Sequence, residues 1–202
     1  MKLRFMGEAA LLVEVEHAAQ AQALRRALLE AAIPGLVELV PGQASLLISA
    51  DPLLADLDSL AARLPDMVTA ASQGKVREHE FLTDYSGEDL AAVAKLTGLE
   101  SPELVRRHTA ATYEVAFLGF APGFAYLTGL DPALRLPRRA EPRTRVPAGS
   151  VAIADEFTGI YPQTSPGGWH ILGRCDVKLF DASRAEPALL APGDRVRFKA
   201  AP

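Results

Sequence analysis

Cysteine is almost missing from this chain of 202 residues: Cys175 stands alone. One thiol cannot close an internal disulfide, so a reducing compartment, the cytoplasm, is expected. No run of about 18 apolar residues occurs, which argues against a membrane-spanning helix. The start, Met1-Lys2-Leu3-Arg4-Phe5, passes directly to Gly7-Glu8 without the apolar stretch of a signal peptide, so no leader is expected. Neither sign of charge dominates. The 21 basic and 25 acidic residues leave a net charge of −4, which argues against nucleic acid or an anionic membrane as partner. Asparagine is absent and arginine outnumbers lysine, a bias that a GC-rich genome explains more simply than a thermophile's avoidance of labile amides.

The common catalytic templates are missing too. Ser150 lies in Ala148-Gly149-Ser150-Val151 and lacks the second glycine of a hydrolase elbow. Neither G-x-x-x-x-G-K-[ST] nor G-x-G-x-x-G occurs, so no glycine loop argues for nucleotide binding. His17, His79, His108 and His170 are scattered without metal-ligand spacing, and no metal site is expected. Cys175, which follows Gly173-Arg174 in an expected strand, reads as a buried structural thiol rather than a nucleophile. What remains is 49% apolar and 23% charged residues, an ordinary globular composition with ample core.

Periodicity divides the chain into three parts, and the fold class expected is α+β. Residues 1–83 alternate strand and helix signals. Strands are expected at 3–5, 10–15, 36–40, 45–49 and 76–81, with one helix over 18–33 ended by Pro34-Gly35. Asp51 as N-cap and Pro52 as first residue open a second helix carrying Leu53, Leu57, Leu60 and Leu64. Two helices on one face of a mostly antiparallel sheet make an α/β sandwich. Residues 84–112 read as a helical connector, with a start resembling a capping box at Ser86 and Asp89, a C′ glycine at Gly98, and a second short helix from Ser101-Pro102-Glu103. From 113 to 202 the helical period disappears. Short apolar runs at 114–118, 150–154, 169–172, 177–180 and 195–198, parted by Gly/Pro turns, predict a β-barrel or sandwich.

Two constellations stand out in that last part. Arg135, Arg138, Arg139, Arg143 and Arg145 are opposed only by Glu141, and Pro137, Pro142 and Pro147 stiffen the backbone between them. Guanidinium forks suit carboxylate and phosphate, so the cluster points to an anionic ligand or an acidic partner, against the plainer reading of a solvated loop. Phe120, Phe124, Tyr126, Tyr161 and Trp169 flank Gly/Pro turns. They read equally as the floor of a recognition surface and as barrel core, with Tyr126, Tyr161 and Trp169 expected nearer the surface because each carries a polar group. His108, taken alone, reads as a helix-face histidine meeting the core.

The segments FLGFAPGFAYLTGLDPALRLPRRAEPR, VPAGSVAIADEFTGIYPQTSPGGW and GRCDVKLFD, in that order, resemble the PxpB family of 5-oxoprolinase B subunits, also labelled KipI or allophanate hydrolase subunit 1. The likeness spans nearly the whole chain, thin before residue 50 and dense from 108 to 180. It implies a cyclophilin-like β-barrel after the N-terminal α/β domain. It also implies a subunit that works with PxpC-type and PxpA-type partners to open 5-oxo-L-proline to L-glutamate at the expense of ATP, with Mg accompanying the nucleotide. The chain is then inactive alone, its active site being completed by a partner. A KipI-type regulator that inhibits a sensor histidine kinase is the alternative. A peptidyl-prolyl isomerase, suggested by the barrel only, lacks the expected Phe-His-Arg arrangement.

Carried across by position, the likeness places catalytic roles on His108, Arg138, Arg139 and Arg143. Substrate or partner contacts fall on Pro122, Gly123, Phe124 and Tyr126, on Pro147, Gly149 and Ser150, on Tyr161, on Ser165, Pro166, Gly167, Gly168 and Trp169, and on Arg174. Asp155-Glu156-Phe157 departs from the family's usual Gly/Gln pair and is expected to alter ligand polarity. Cys175 replaces a frequent threonine.

Overall fold

The computed structural model describes residues 1–69 and 76–202 and resolves into two compact units, Met1–Val76 and Arg77–Pro202. In the first, strands β1 (Lys2–Phe5), β2 (Ala10–Glu14), β3 (Leu36–Pro41) and β4 (Ser45–Ala50) form an antiparallel sheet in the order β1-β2-β4-β3. Alternation turns Leu11, Val13, Leu46 and Ile48 to one face. Helices α1 (Ala18–Ala31) and α2 (Leu57–Thr69) cover that face with Leu24 and Leu28, and with Leu57, Leu60 and Leu64. This is the sandwich expected, with one correction. Asp51 does not open α2: its carboxylate accepts the Leu53 N–H at 2.9 Å in a local turn, and Leu53 and Leu54 are exposed. Asp56 takes the capping role instead, accepting from the Ser59 N–H at 3.0 Å.

The second unit begins earlier than the sequence suggests. Strand β5 (Glu78–Thr83) pairs in parallel with the last strand, so the boundary lies at 76/77 and not at 83/84. The alternation of 78–83 fits either sheet, and a parallel partner more than a hundred residues away leaves no local signal. Helices α3 (Leu90–Thr97) and α4 (Ser101–Ala110) are not a separate connector, because Val93, Ala94 and Leu104 belong to this unit's main core. Gly98 caps α3 in the left-handed conformation, φ 70°, as expected. The remaining strands are β6 (Tyr113–Leu118), β7 (Ala125–Thr128), β8 (Arg143–Val146), β9 (Ser150–Ala154), β10 (Phe157–Ile160), β11 (Ser165–Gly167), β12 (His170–Arg174) and β13 (Arg195–Ala200). Residues 177–180 make only an isolated bridge, Phe180 to Ala188, in place of a strand.

Among the described residues, seven of these strands form one sheet in the order β12-β9-β10-β7-β6-β13-β5, while β8 and β11 pair separately. The long sheet curls nearly shut as a barrel. The chain leaving β5 runs back along β12: Asp84 and Arg174 exchange two backbone hydrogen bonds of 2.8 Å, Gly87 N–H donates to Leu172 at 3.0 Å, and Asp89 N–H to Ile171 at 3.1 Å. Edge groups are thereby satisfied without a full strand. Strand β9 is buried on both faces. Val151 and Ile153 enter the main core with α3 and α4, and Ala152 and Ala154 enter a second, aromatic core.

The seam admits no side chain at its crossing points. A Cβ on Gly87 would collide with the backbone of Ile171 and Leu172, and one on Gly173 with the Asp84 carbonyl. Gly87→Ala is therefore expected to lower stability by roughly 3 kcal/mol, near the upper end for overpacking. Gly98→Ala, at positive φ but with open space around its Cβ, should cost only about 1 kcal/mol. Urea unfolding of the two variants checks the contrast; equal losses would show that the seam yields.

Candidate functional site

Asp89 organises the loops that the sequence singles out. It stands at the N-cap of α3 but makes no side-chain cap bond to its own helix. Its carboxylate is turned inward, 4% exposed as a residue. Oδ2 accepts the Ile171 N–H at 2.7 Å, and Oδ1 accepts both Arg139 Nη1 at 2.9 Å and Arg143 Nη2 at 2.7 Å. Burial works to raise the Asp89 pKa, but the bonds from Arg143 and Ile171 and the charges of Arg143 and Arg139 outweigh it, holding the carboxyl below its ordinary value. Glu88 takes the Arg143 Nε at 2.7 Å.

The five arginines are thus not one solvated patch. Arg139 and Arg143 are drawn inward, whereas Arg138 is exposed and lies 3.6 Å from Asp155. Arg135 and Arg145 are also exposed. Arg139 Nε and Arg143 Nη1 are buried and make no hydrogen bond, so the inward pair retains donors beyond those that hold Asp89. Asp89 had the sequence signature of a cap; the signal for its other role was an acidic pair, Glu88-Asp89, in a protein whose arginines needed counter-charges.

The same node fixes the neighbouring loops. Arg139 N–H donates to the Gly168 carbonyl at 2.8 Å, His170 Nε2 donates to the Pro137 carbonyl at 2.9 Å, and β8 pairs with β11 so that Arg143 faces Gly167. Ser165 is half-buried and Pro166 exposed. The Tyr161 hydroxyl lies against Gly167, where a Cβ would collide with it. Burial pushes the Tyr161 pKa up, so this phenol stays protonated. Gly149, at φ 80°, donates its N–H to the Tyr161 carbonyl at 2.8 Å, and the Ser150 carbonyl accepts the Tyr161 N–H at 2.9 Å. Arg174 is exposed beside Gly149, and Pro147 is exposed.

Phe124 is the centre of the aromatic core, with ring centroids of Tyr126 at 5.1 Å and of Tyr161 and Trp169 at 5.3 Å, all at steep angles. Tyr161 and Trp169 are buried, contrary to the surface position expected from their polar groups; Tyr126 is half-buried. Both rings pack edge-on against Phe124, and the apolar area this buries outweighs the pull of their polar groups toward water. Phe157, the departure from the family pattern, packs 5.5 Å from Tyr126 as part of this core, and Asp155 takes the left-handed position of the β9–β10 turn, φ 53°. Phe157 is therefore a packing residue rather than one that faces a ligand. The surface here is made by Pro122 and by Phe120, which is 61% exposed and lies outside the motif positions.

His108 does not join this group. It is fully buried on α4, and its Nε2 lies 2.9 Å from Thr158 Oγ, which itself donates to the Ala152 carbonyl. Nε2 therefore carries the proton, and Nδ1 accepts from the Tyr85 hydroxyl at 2.7 Å. Strand alternation puts Thr158 on the opposite face of β10 from Phe157, so His108 and the aromatic core lie on two sides of one sheet. The core histidine read from the residues alone is what the fold contains; as placed, it cannot touch a substrate. Cys175 is also buried, its thiol pushed up to about 12 by burial, and is inert. Among the described residues, no three His, Cys, Asp or Glu side chains gather as metal ligands, and no helix is long and apolar enough to cross a membrane. A concavity of 720 Å³ lies in the first unit, between Phe5, Gly7, Glu8 and residues 52–58, and contains none of these groups.

The sequence model of the family described as carboxyltransferase domain, subdomain C and D, matches residues 1–190. The 5-oxoprolinase B subunit of Escherichia coli O157:H7 is 40% identical over 206 residues, spanning 96% of this chain and 93% of the relative. That of Haemophilus influenzae is 41% identical over 172 residues, 81% of this chain and 78% of the relative. Among solved structures, TTHA0988 superposes with a TM-score of 0.80 at 40% identity over 96% of this chain. This chain spans only 40% of the length of TTHA0988.

Two outcomes follow from the buried groups. Asp89→Asn leaves Arg139 without its counter-charge and Arg143 with Glu88 alone, and is expected to cost about 3 kcal/mol. Since the folded pKa is depressed, the Asp89 contribution is complete above the unfolded value of about 3.9 and is lost as the pH falls through the folded value. The stability gap between wild type and variant should then narrow below about pH 4; a gap constant with pH would contradict the ion-pair assignment. For His108, burial pulls the pKa down to about 3. Its stabilising contribution is complete above the unfolded value of about 6.5 and declines as the pH falls toward the folded one. Nitrogen-15 spectra should show a neutral Nε2–H imidazole still at about pH 5; an imidazolium there would refute the buried tautomer.

Proposed function

This chain belongs to the family of carboxyltransferase subdomains C and D that includes the 5-oxoprolinase B subunits, and on that basis we propose that it is one component of an ATP-dependent 5-oxoprolinase complex. The observation that carries the reading is the match, near full length on both sides, to a 5-oxoprolinase B subunit. The substrate would be 5-oxo-L-proline and the product L-glutamate, with PxpC-type and PxpA-type subunits as partners.

A lactam is resonance-stabilised, and ring opening by water needs its carbonyl activated. ATP with Mg, when bound, would supply that activation by transferring its terminal phosphoryl group to the lactam carbonyl oxygen, with ADP as leaving group and inorganic phosphate released when water opens the ring. The residues of this chain fit the anionic side of such chemistry. Arg139 and Arg143 are held by Asp89 in a fixed orientation with part of each side chain still exposed, and Arg138 is a third guanidinium at the surface. Fixed donors of this kind stabilise developing negative charge or grip a substrate carboxylate without reorganising. Neither nucleotide-binding glycine motif occurs in the sequence, so the nucleotide cradle is assigned to a partner and the chain is expected to be inactive alone. His108 acts as a positioning residue, tying α4 to β10 from beneath.

The test is ADP release by the chain alone and mixed with its PxpC-type and PxpA-type partners, with and without 5-oxoproline. Turnover should require both the partners and the lactam. Arg138→Gln, which breaks only a surface contact, should lower it about 100-fold with little loss of stability. Turnover by the isolated chain would overturn the assignment to a complex. Full activity in both Arg138→Gln and Arg143→Lys would overturn the role of the arginines.

A further inference from the structure

Phe120 combines three properties that packing does not require together. Its backbone lies at φ 68°, a conformation in which a bulky residue is a true outlier. The Ala121 N–H donates to the Gly119 carbonyl at 2.8 Å, so Phe120 is the central residue of a γ-turn of the rare, strained hand. Yet its ring is 61% exposed. Glycine, which would relax the turn, stands at 119 and 123 but not at the strained position.

The ring is also held still. It meets Phe124 edge-on at 5.4 Å and Tyr161 at 6.2 Å, both fixed in the aromatic core. The loop beneath closes on itself through Gly119 N–H to Phe124 at 3.1 Å and Phe124 N–H to Ala121 at 2.9 Å. Across Gly123 the exposed ring of Phe180 extends the apolar surface, since a Cβ on Gly123 would lie 2.8 Å from the Phe180 Cβ. A rigid, exposed aromatic ring is the form of a protein hot spot, because little entropy is left to lose on binding. A convex knob calls for a socket on a macromolecule.

What supplies the socket follows from chain length. The whole of this chain's fold matches a portion of TTHA0988, and the larger part of that polypeptide has no counterpart here. We infer that Phe120 is a preformed docking knob that inserts into an apolar socket on the polypeptide corresponding to the remainder of TTHA0988. The inference rests on the assignment to a complex above and goes beyond it by naming the anchor.

Calorimetric titration of the full chain with that polypeptide, taken from the same organism, tests it. Wild type should bind. Phe120→Gly and Phe120→Ser should each weaken binding at least about 30-fold, while the thermal midpoint of Phe120→Gly stays level or rises because the turn relaxes. Variants that bind as tightly as wild type would overturn the knob and leave the assembly intact. A fall in midpoint for Phe120→Gly would make the ring a folding element and overturn it equally. Wild type that fails to bind would overturn both this inference and the assignment to a complex. Self-association of wild type that Phe120→Ser abolishes would make a second copy the occupant and overturn the stated partner.

Discussion

A single buried carboxylate, Asp89, is the constraint on which the second unit depends. It joins the N-terminus of α3, the backbone of β12 and two arginines from a segment fifty residues away. Each oxygen would be costly to bury alone, and each guanidinium likewise; together they satisfy one another. The backbone of the same residue donates to Ile171. The barrel seam and the placing of the arginine segment are therefore fixed by one residue, and disturbing either reaches the other.

Around that node the β9–β10 sheet separates two environments. One side is the main core around His108, which is neutral and doubly bonded; the other is an aromatic core that ends at the surface in Phe120. Chemistry that needs charge or exchange with solvent belongs to the second side. There Arg138 is exposed, Arg139 and Arg143 keep part of their side chains accessible, and a strained turn holds an exposed ring. Backbone strain of this kind costs about 1–3 kcal/mol and persists where the surroundings over-determine it.

Much of the fold was legible because local rules suffice for it. Alternation at 10–14 and 45–50, the leucine spacing of α1 and α2 and the glycine cap at 98 each depend on neighbours in sequence. What escaped depends on distant partners. The parallel pairing of 78–83 with 195–200 sets the domain boundary, and nothing near residue 78 announces it. Asp89 has the residue type and position of a cap, and only the fold shows that Arg139 and Arg143 claim its carboxylate first. Of the candidate site, the order of the Gly/Pro and arginine motifs was readable, but the division of labour within it was not. Tyr161 and Trp169 have polar groups that suggest a surface, but both rings pack edge-on against Phe124 and are buried.

The Phe120 loop, the arginine segment and the 165–169 turn make the face at which, on this reading, another polypeptide completes the site. Hydrogen–deuterium exchange of the chain, free and mixed with the PxpC-type subunit proposed as its partner, interrogates that face segment by segment. Exchange should slow at 119–126, 138–146 and 165–170 when the partner is added. Protection confined to other segments, with these three unchanged in a complex that demonstrably forms, would contradict it.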